Sequence, residues 1–429
     1  MEPISRLLSG ELDGKEATIR GWLYRTRSSG SLVFATVRDS SGIIQAVASR
    51  KDLPEGEFEP LARALIESSV EVTGTVHADA RAPGGRELHL TRGRVVHAAE
   101  TFPITKDQSE ELLLDLRHLW LRSRQMTATL KLRSTVIQAL KAFYLGEGFY
   151  ESQGPMFTGG QVEGGSTLFE VPYFDRKVYL TQSSQLYLEA LIFSLDRVFT
   201  LAPSFRAEKS RTRRHLTEYW HFEIEVAWMG NSELMDLEER MLEHVVDTCL
   251  RERRDDLETL KRDLGELKSI RAPFPRLRYE EAVELINRNG REMRMGDDFG
   301  HEEERALTQG MGTPVFVSHW PRAIKPFYHR PDPDDPAHVL NHDLVAPQEY
   351  GELIGGGERI WELQVLLNRI DEEGLDPAAY PWYIDLRRYG SVPHSGFGLG
   401  VDRLVCYMGG IDHIKWSLPF PRDVRRVYP

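Results

Sequence analysis

The sequence predicts an α+β chain: a five-stranded β-barrel at the N-terminus, then a larger domain whose mostly antiparallel sheet is flanked by helices. Three observations predict it. Residues 16 to 98 form short alternating runs of β-branched and aromatic residues separated by glycine turns. From residue 127 the apolar residues recur at helical spacing instead. Beyond that point strands and helices are interspersed without a regular βαβ beat, which argues against a doubly wound sheet.

The five strands are "EATIRGWLYRTR", "LVFATVRD", "IIQAVAS", "VEVTGTVHA" and "ELHLTRGRVVHA", with a helical insert, "EFEPLARALIESS", between the third and fourth. A helix at that place suits an OB-type barrel. Residues 99 to 125 are polar, carry a proline and read as a connector. The expected division is therefore 1–98, 99–125 and 126–429. In "TATLKLRSTVIQALKAFYLGEGF", Val136, Leu140 and Phe143 share a face beside Ile137 and Tyr144, and Gly146 and Gly148 end the helix. "VYLTQSSQLYLE", "RVFTLAPSFRAE" and "EYWHFEIEVAWM" read as strands, and a charged helix over 232–262 is expected to open on Asn231 as its N-cap.

The chain has 429 residues, 41% of them hydrophobic and 28% charged with mixed sign, enough to bury a large core. Its two cysteines, Cys249 and Cys406, exclude a disulfide framework and a cysteine-rich zinc site and fit a reducing cytosol. The N-terminus has no secretory pattern and no run is long enough to span a bilayer, so a soluble cytoplasmic protein is expected. A net charge of −12 is unusual for a nucleic-acid partner, yet "EKSRTRRH" and "RDVRR" can each form a local basic patch.

Three segments carry candidate chemistry. "GSVPHSGFGLGVDRLVCYM" spaces its glycines G-x-G-x-G and has no later strand with a ribose-binding acid, so the dinucleotide fingerprint is excluded. A close-packed strand-to-helix crossing and a glycine floor under a flat ring, with Arg403 beside it, both fit what remains. "NHDLVAPQEYGELIGGGERI" offers Asp343 and Glu352, hard oxygen donors of the kind Mg²⁺ uses alongside phosphates, although acids are more often simply solvated. His338 and His342 lack a glutamate base between them, and a proline-rich surface loop is the expected setting. Finally, "LAPSFRAEKSRTRRHLTEYWHFEIEVAW" reads as a hairpin with a long loop. Arg206 and Glu208 are one pleat apart, and Tyr219, His221, Glu223 and Glu225 share a face too charged for a core. Arginines on such a hairpin can clamp a triphosphate.

"FRAEKSRTRRHLTEYWHFEIE" resembles the second signature of class II aminoacyl-tRNA synthetases, "GFGLGVDRL" the third, and "AFYLGEGFYESQGPMFT" the first. They stand in order behind a barrel, so the resemblance covers nearly the whole chain, and it is nearest to the aspartyl and asparaginyl branch in its archaeal and eukaryotic form. "QVEGGSTLFEVPYF", Arg211, and the two extra residues between Asp343 and Glu352 with Gly355 after them, favour asparagine over aspartate. The alternatives are an aspartyl enzyme, strict or relaxed, and a relative that makes asparagine without tRNA.

The resemblance implies ATP and L-asparagine as substrates, Mg²⁺ as cofactor, the asparagine tRNA as partner, and a homodimer. It implies that Arg206, Glu208 and Arg403 carry the chemistry, Arg206 on the α-phosphate and Glu208 on the adenine amino group. Arg214 and His215 would meet the outer phosphates, Tyr219 or Arg403 would sandwich the base, Gly400 and Asp402 would line the nucleotide, and Asp343 with Glu352 would hold the metal. For the amino acid it implies Glu163 and Gln185 at the α-amino group and Lys325, Gly355 and Arg359 at the side chain, with Glu223 accepting from the amide. In the barrel, Phe34 would stack an anticodon base, Gln45 would read base edges, and Arg25 and Arg27 would hold the backbone.

Overall fold

The computed structural model describes residues 1–159, 168–209 and 212–429. The chain divides into two compact units, Met1–Trp120 and Leu121–Pro429. In the first, β1 (Glu16–Ser29), β2 (Leu32–Arg38), β3 (Ile43–Ser49), β4 (Ser69–Ala78) and β5 (Arg86–His97) close into a barrel in the order β1-β2-β3-β5-β4, the expected OB arrangement. Alternation along each strand does the work: Val33, Ala35 and Val37 of β2 and Ile44, Ala46 and Ala48 of β3 point inward and are buried. The helix Glu55–Arg63 between β3 and β4 adds Phe58 and Leu61 to this core.

The second unit is built on an eight-stranded sheet. Its strands are β6 (Tyr150–Glu151), β10 (Arg197–Phe205), β11 (Glu218–Ala227), β12 (Arg276–Arg278), β13 (Val315–Ser318), β14 (Asn341–Ala346), β15 (Gly351–Glu358) and β16 (His394–Gly400). Their order is β12-β13-β14-β15-β16-β11-β10-β6, parallel at the two outer pairs and antiparallel within. A small separate sheet comprises β7 (Phe157–Thr158), β8 (Glu170–Tyr173) and β9 (Arg176–Leu180).

Strand pairing in register makes each face of the large sheet legible, because directly opposed residues point the same way. One face presents Phe222, Leu399, Ile354 and Leu344, and in the next row Ile224 and Phe397. These pack with the helices Arg124–Gly146, Asn231–Glu252 and Val401–Gly409 into the main core. Tyr144, Phe199 and Phe222 lie together there, the last two stacked at 5.3 Å.

Several local expectations are corrected. "QSSQLYLE" is not strand: β9 stops at Leu180 and a helix runs Gln185–Leu195. Asn231 is the first helical residue rather than the cap. Glu233 accepts from the Gly230 amide, and Asn231 turns its own amide inward to His342. The charged helix ends at Glu252, a second one spanning Arg254–Thr259. His342 lies on no surface loop. It is fully buried on β14, between Asn231 and Glu238, while His338 pairs with Asp335 and Glu280.

Truncating Phe222 to alanine leaves a void among well-packed aromatic rings, so urea denaturation is expected to report a loss of about 3–5 kcal/mol with an unchanged far-UV spectrum.

Candidate active site

The opposite face of the large sheet carries the charged residues. Going across it, one row reads Ala202, His221, Gly400; the next Thr200, Glu223, Gly398, Gly355, Asp343; the third Val198, Glu225, Gly396, Gly357, Asn341. Glycine fills the middle of the second and third rows, where neighbouring side chains already occupy the space above Gly398 and Gly396. A Cβ on Gly398 would collide with the His221 ring, and one on Gly396 with Glu225. The glycine stretch is therefore a bare floor within a charged face.

Over the first rows lies a solvent-open cavity of about 620 Å³ lined by Arg206, Arg214, His215, Tyr219, Glu352, Gly400, Asp402 and Arg403, all of them expected at the nucleotide. Arg206 and Glu208 are past the end of β10, so they do not share a pleat as the hairpin reading supposed. Glu208 lines an adjoining recess together with Arg206 and His215.

Burial would raise the Glu352 carboxyl, but Arg403, Lys325, Arg206 and Arg214 outweigh that and hold it below the usual range. Arg403 also donates to the Glu352 carbonyl oxygen at 2.6 Å. Arg214 is held by Glu304 at 2.5 Å, and Glu304 accepts from the Glu352 amide as well. Burial, with Arg403 nearby, pushes His215 down to about 4, so at neutral pH it is an uncharged hydrogen-bonding ring rather than a cation for phosphates. Asp402 lines the cavity without offering it an oxygen. Oδ1 takes Arg133 at 2.5 Å and Oδ2 the Trp220 amide at 3.0 Å, which ties the helix Arg124–Gly146 to the sheet.

Asp343 and Glu352 converge beside Gly355. A Cβ there would lie 3.4 Å from Asp343 Oδ1 and 3.2 Å from Glu352 Oε1, so the glycine leaves open the space the two carboxylates face. Burial pushes Asp343 up to about 6, with Lys325 opposing and Glu352 reinforcing the shift. Lys325 donates to Asp343 Oδ2 at 2.8 Å and stands 3.9 Å above the Trp320 ring.

Glu225 of the third row belongs to a buried ion pair that the sequence reading assigned only by half. Arg359 donates through Nε (3.0 Å) and Nη2 (2.6 Å) to Glu225 Oε1. Oε2 is buried and has no hydrogen-bond partner among the described residues. Burial pushes Glu225 up to about 8 despite Arg359. Glu223, expected to face the amide, is already engaged, by Ser183 Oγ and by the Ser184 amide at 2.9 Å. Glu225 was findable, since it shares strand parity with Glu223, but parity cannot say which of two acids has a spare oxygen. Gln185 begins the helix over this region and donates from Nε2 to Glu189 at 3.1 Å. Glu163 and Arg211 lie outside the described residues.

On the barrel, Arg27, Phe34, Val47 and His89 form one outward row, and Arg25, Thr36, Gln45 and Glu87 the next. Arg25 and Arg27 are exposed and Phe34 is half-buried, so it is not core. Gln45 donates to Glu87 at 2.8 Å, which fixes the direction of its side-chain amide.

Residues 109–424 match the family described as tRNA synthetases class II (D, K and N), and residues 17–96 match the OB-fold nucleic acid binding domain. The chain is similar to the asparagine–tRNA ligase of Thermoplasma acidophilum, 52% identical with 97% of each chain covered. It is also similar to the crystal structure of asparaginyl-tRNA synthetase from Pyrococcus horikoshii complexed with asparaginyl-adenylate, at 48% identity and a TM-score of 0.95, covering 98% of this chain and 97% of that one. A putative aspartyl-tRNA synthetase from Leishmania major superposes with a TM-score of 0.88 at 26% identity, covering 100% of this chain and 95% of that one.

Because Glu225 titrates higher folded than unfolded, its contribution to stability is complete below the unfolded carboxyl range and is lost as the pH rises through the folded value. Glu225→Gln is therefore expected to gain stability relative to the parent from about pH 5 to about pH 8, read as urea midpoints for both proteins across that range.

Proposed function

The chain belongs to the class II tRNA synthetases of the D, K and N group, and from that premise we propose that it joins L-asparagine to the 3′ end of the asparagine tRNA at the expense of ATP. The asparagine carboxylate attacks the α-phosphate and displaces pyrophosphate. A terminal ribose hydroxyl of the tRNA then attacks the carbonyl of the mixed anhydride and releases AMP. Neither step needs a side-chain nucleophile. Both need charge neutralised and groups aligned, which fixed guanidinium groups supply.

The observation that carries this reading is the convergence of Arg206, Arg214 and Arg403 around Glu352 in one cavity over a glycine floor. Arg206 would neutralise the α-phosphate, Arg403 would cover the base, and Tyr219 at the cavity wall would pack beside it. Glu208, in the adjoining recess, would accept from the adenine amino group. Asp343 and Glu352 fit Mg²⁺, which takes one or two carboxylates and keeps several waters. The cation would supply charge neutralisation to the outer phosphates.

Selection of the amide falls to Arg359 and Glu225. The guanidinium suits a side-chain carbonyl, and the unpartnered Oε2 of Glu225 suits an amide NH₂, whose donor would draw the carboxyl into its ionised form, a form that opposes a carboxylate ligand. Glu223 would instead fix the Ser183–Ser184 turn. The barrel face of Arg25, Arg27, Phe34 and Gln45 would receive the anticodon. Exposed Leu145, Tyr150 and Phe157 in the first-signature segment support a homodimer formed there. No helix among the described residues is long and apolar enough to cross a membrane, and a cytoplasmic setting fits a translation enzyme.

Exchange of labelled pyrophosphate into ATP is expected with asparagine and not with aspartate, and to stop when EDTA removes divalent cations. Exchange with aspartate alone would refute the choice of amino acid. Phe34→Ala is expected to raise the KM for tRNA by about 5- to 150-fold, the equivalent of about 1–3 kcal/mol of lost base stacking, while leaving that exchange unchanged.

A further inference from the structure

We infer that Glu189 is a positioning residue which turns the Gln185 amide so that its carbonyl oxygen faces the amino acid's ammonium group. The inference rests on the reading of Gln185 as an α-amino-binding residue and adds what makes that residue competent.

Glu189 is fully buried one turn after Gln185 on the same helix. Its two oxygens have separate duties. Oε2 accepts from Arg387 Nη2 at 2.6 Å and Tyr383 Oη at 2.7 Å, and lies 3.0 Å from His394 Nε2. Oε1 accepts from Gln185 Nε2 at 3.1 Å, its one partner among the described residues. Burial would raise this carboxyl, yet Arg387 and His394 hold it below the usual range, so it is an ionised group that only accepts.

A carboxylate oxygen cannot receive the carbonyl end of an amide, so Gln185 must direct its NH₂ group to Glu189 and keep Oε1 for another partner. Among the described residues Oε1 has none. The Gln185 backbone is held as well, its amide donating to Ser183 Oγ at 3.1 Å. An ammonium group carries only donors, so a glutamine presenting NH₂ toward it would repel it and one presenting oxygen binds it. The carboxylate decides between these two rotations, which are nearly equal in shape.

Glu189→Gln tests this directly. The carbonyl of the new glutamine is required by Arg387, its NH₂ then faces Gln185, and Gln185 must turn its oxygen inward and its NH₂ outward. Asparagine and succinamate, which is asparagine without the α-amino group, are compared in the full-length protein, as KM in pyrophosphate exchange and as Ki against asparagine respectively. The expected result is a rise of about 10-fold or more in KM for asparagine, the worth of a hydrogen bond to a charged group, with the Ki of succinamate unchanged.

Glu189→Asp, which keeps the charge opposite Arg387 but withdraws the oxygen from Gln185, is expected to do the same and serves if the amide variant does not fold. His394→Gln, which touches only Oε2, is expected to lower the melting temperature and leave the ratio of the two ligands intact. Equal weakening of both ligands by the Glu189 variants, no weakening of asparagine, or the same ratio change in His394→Gln would each overturn the inference. Gln185→Ala separates it from its premise: if that variant leaves the preference for asparagine over succinamate intact, the assignment of Gln185 fails, whatever Glu189 does.

Discussion

The catalytic unit depends on keeping acidic side chains out of water on one face of a sheet whose other face is apolar core. An unpaired carboxylate in such a place is strongly disfavoured, so each one must be matched by a cation or by several donors. That requirement accounts for the pairs on and around the sheet: Glu225 with Arg359, Asp343 with Lys325, Glu189 with Arg387, and, between two helices of the core, Asp402 with Arg133. It also accounts for the glycines, since acids on β11 and β14 find room only if the strands between them carry no side chains. A substrate with its own charges then enters a field already balanced, and the groups that face it are those with an oxygen or a guanidinium to spare.

Much of the fold was legible because one-sided burial writes a period of two into barrel strands and about 3.6 into helices. The barrel strands and the helix between the third and fourth follow directly from that. What misled was local composition. "QSSQLYLE" has the tyrosine and serines of a strand and turn, yet Glu189 must reach Arg387 and Tyr383, and tertiary partners of this kind override propensity. Asn231 was a sound cap by type, but a buried histidine had prior use for its amide.

The site was legible as a set of residues more than as a set of roles. Arginine-rich and glycine-rich signatures pointed to residues that line one cavity, with Glu208 in the adjoining recess. Sequence could not show that Asp402 is spoken for by Arg133, that burial discharges His215, or that Glu225 rather than Glu223 has the spare oxygen. Each of those depends on contacts between segments far apart in the chain.

The Arg214–Glu304 contact gives ligand binding an unusual character. Glu304 takes one terminal nitrogen of Arg214 and also receives the Glu352 amide, while Arg214 Nε has no hydrogen-bond partner among the described residues, so the guanidinium is oriented without being saturated. Its ordering is complete before any ligand contributes to it.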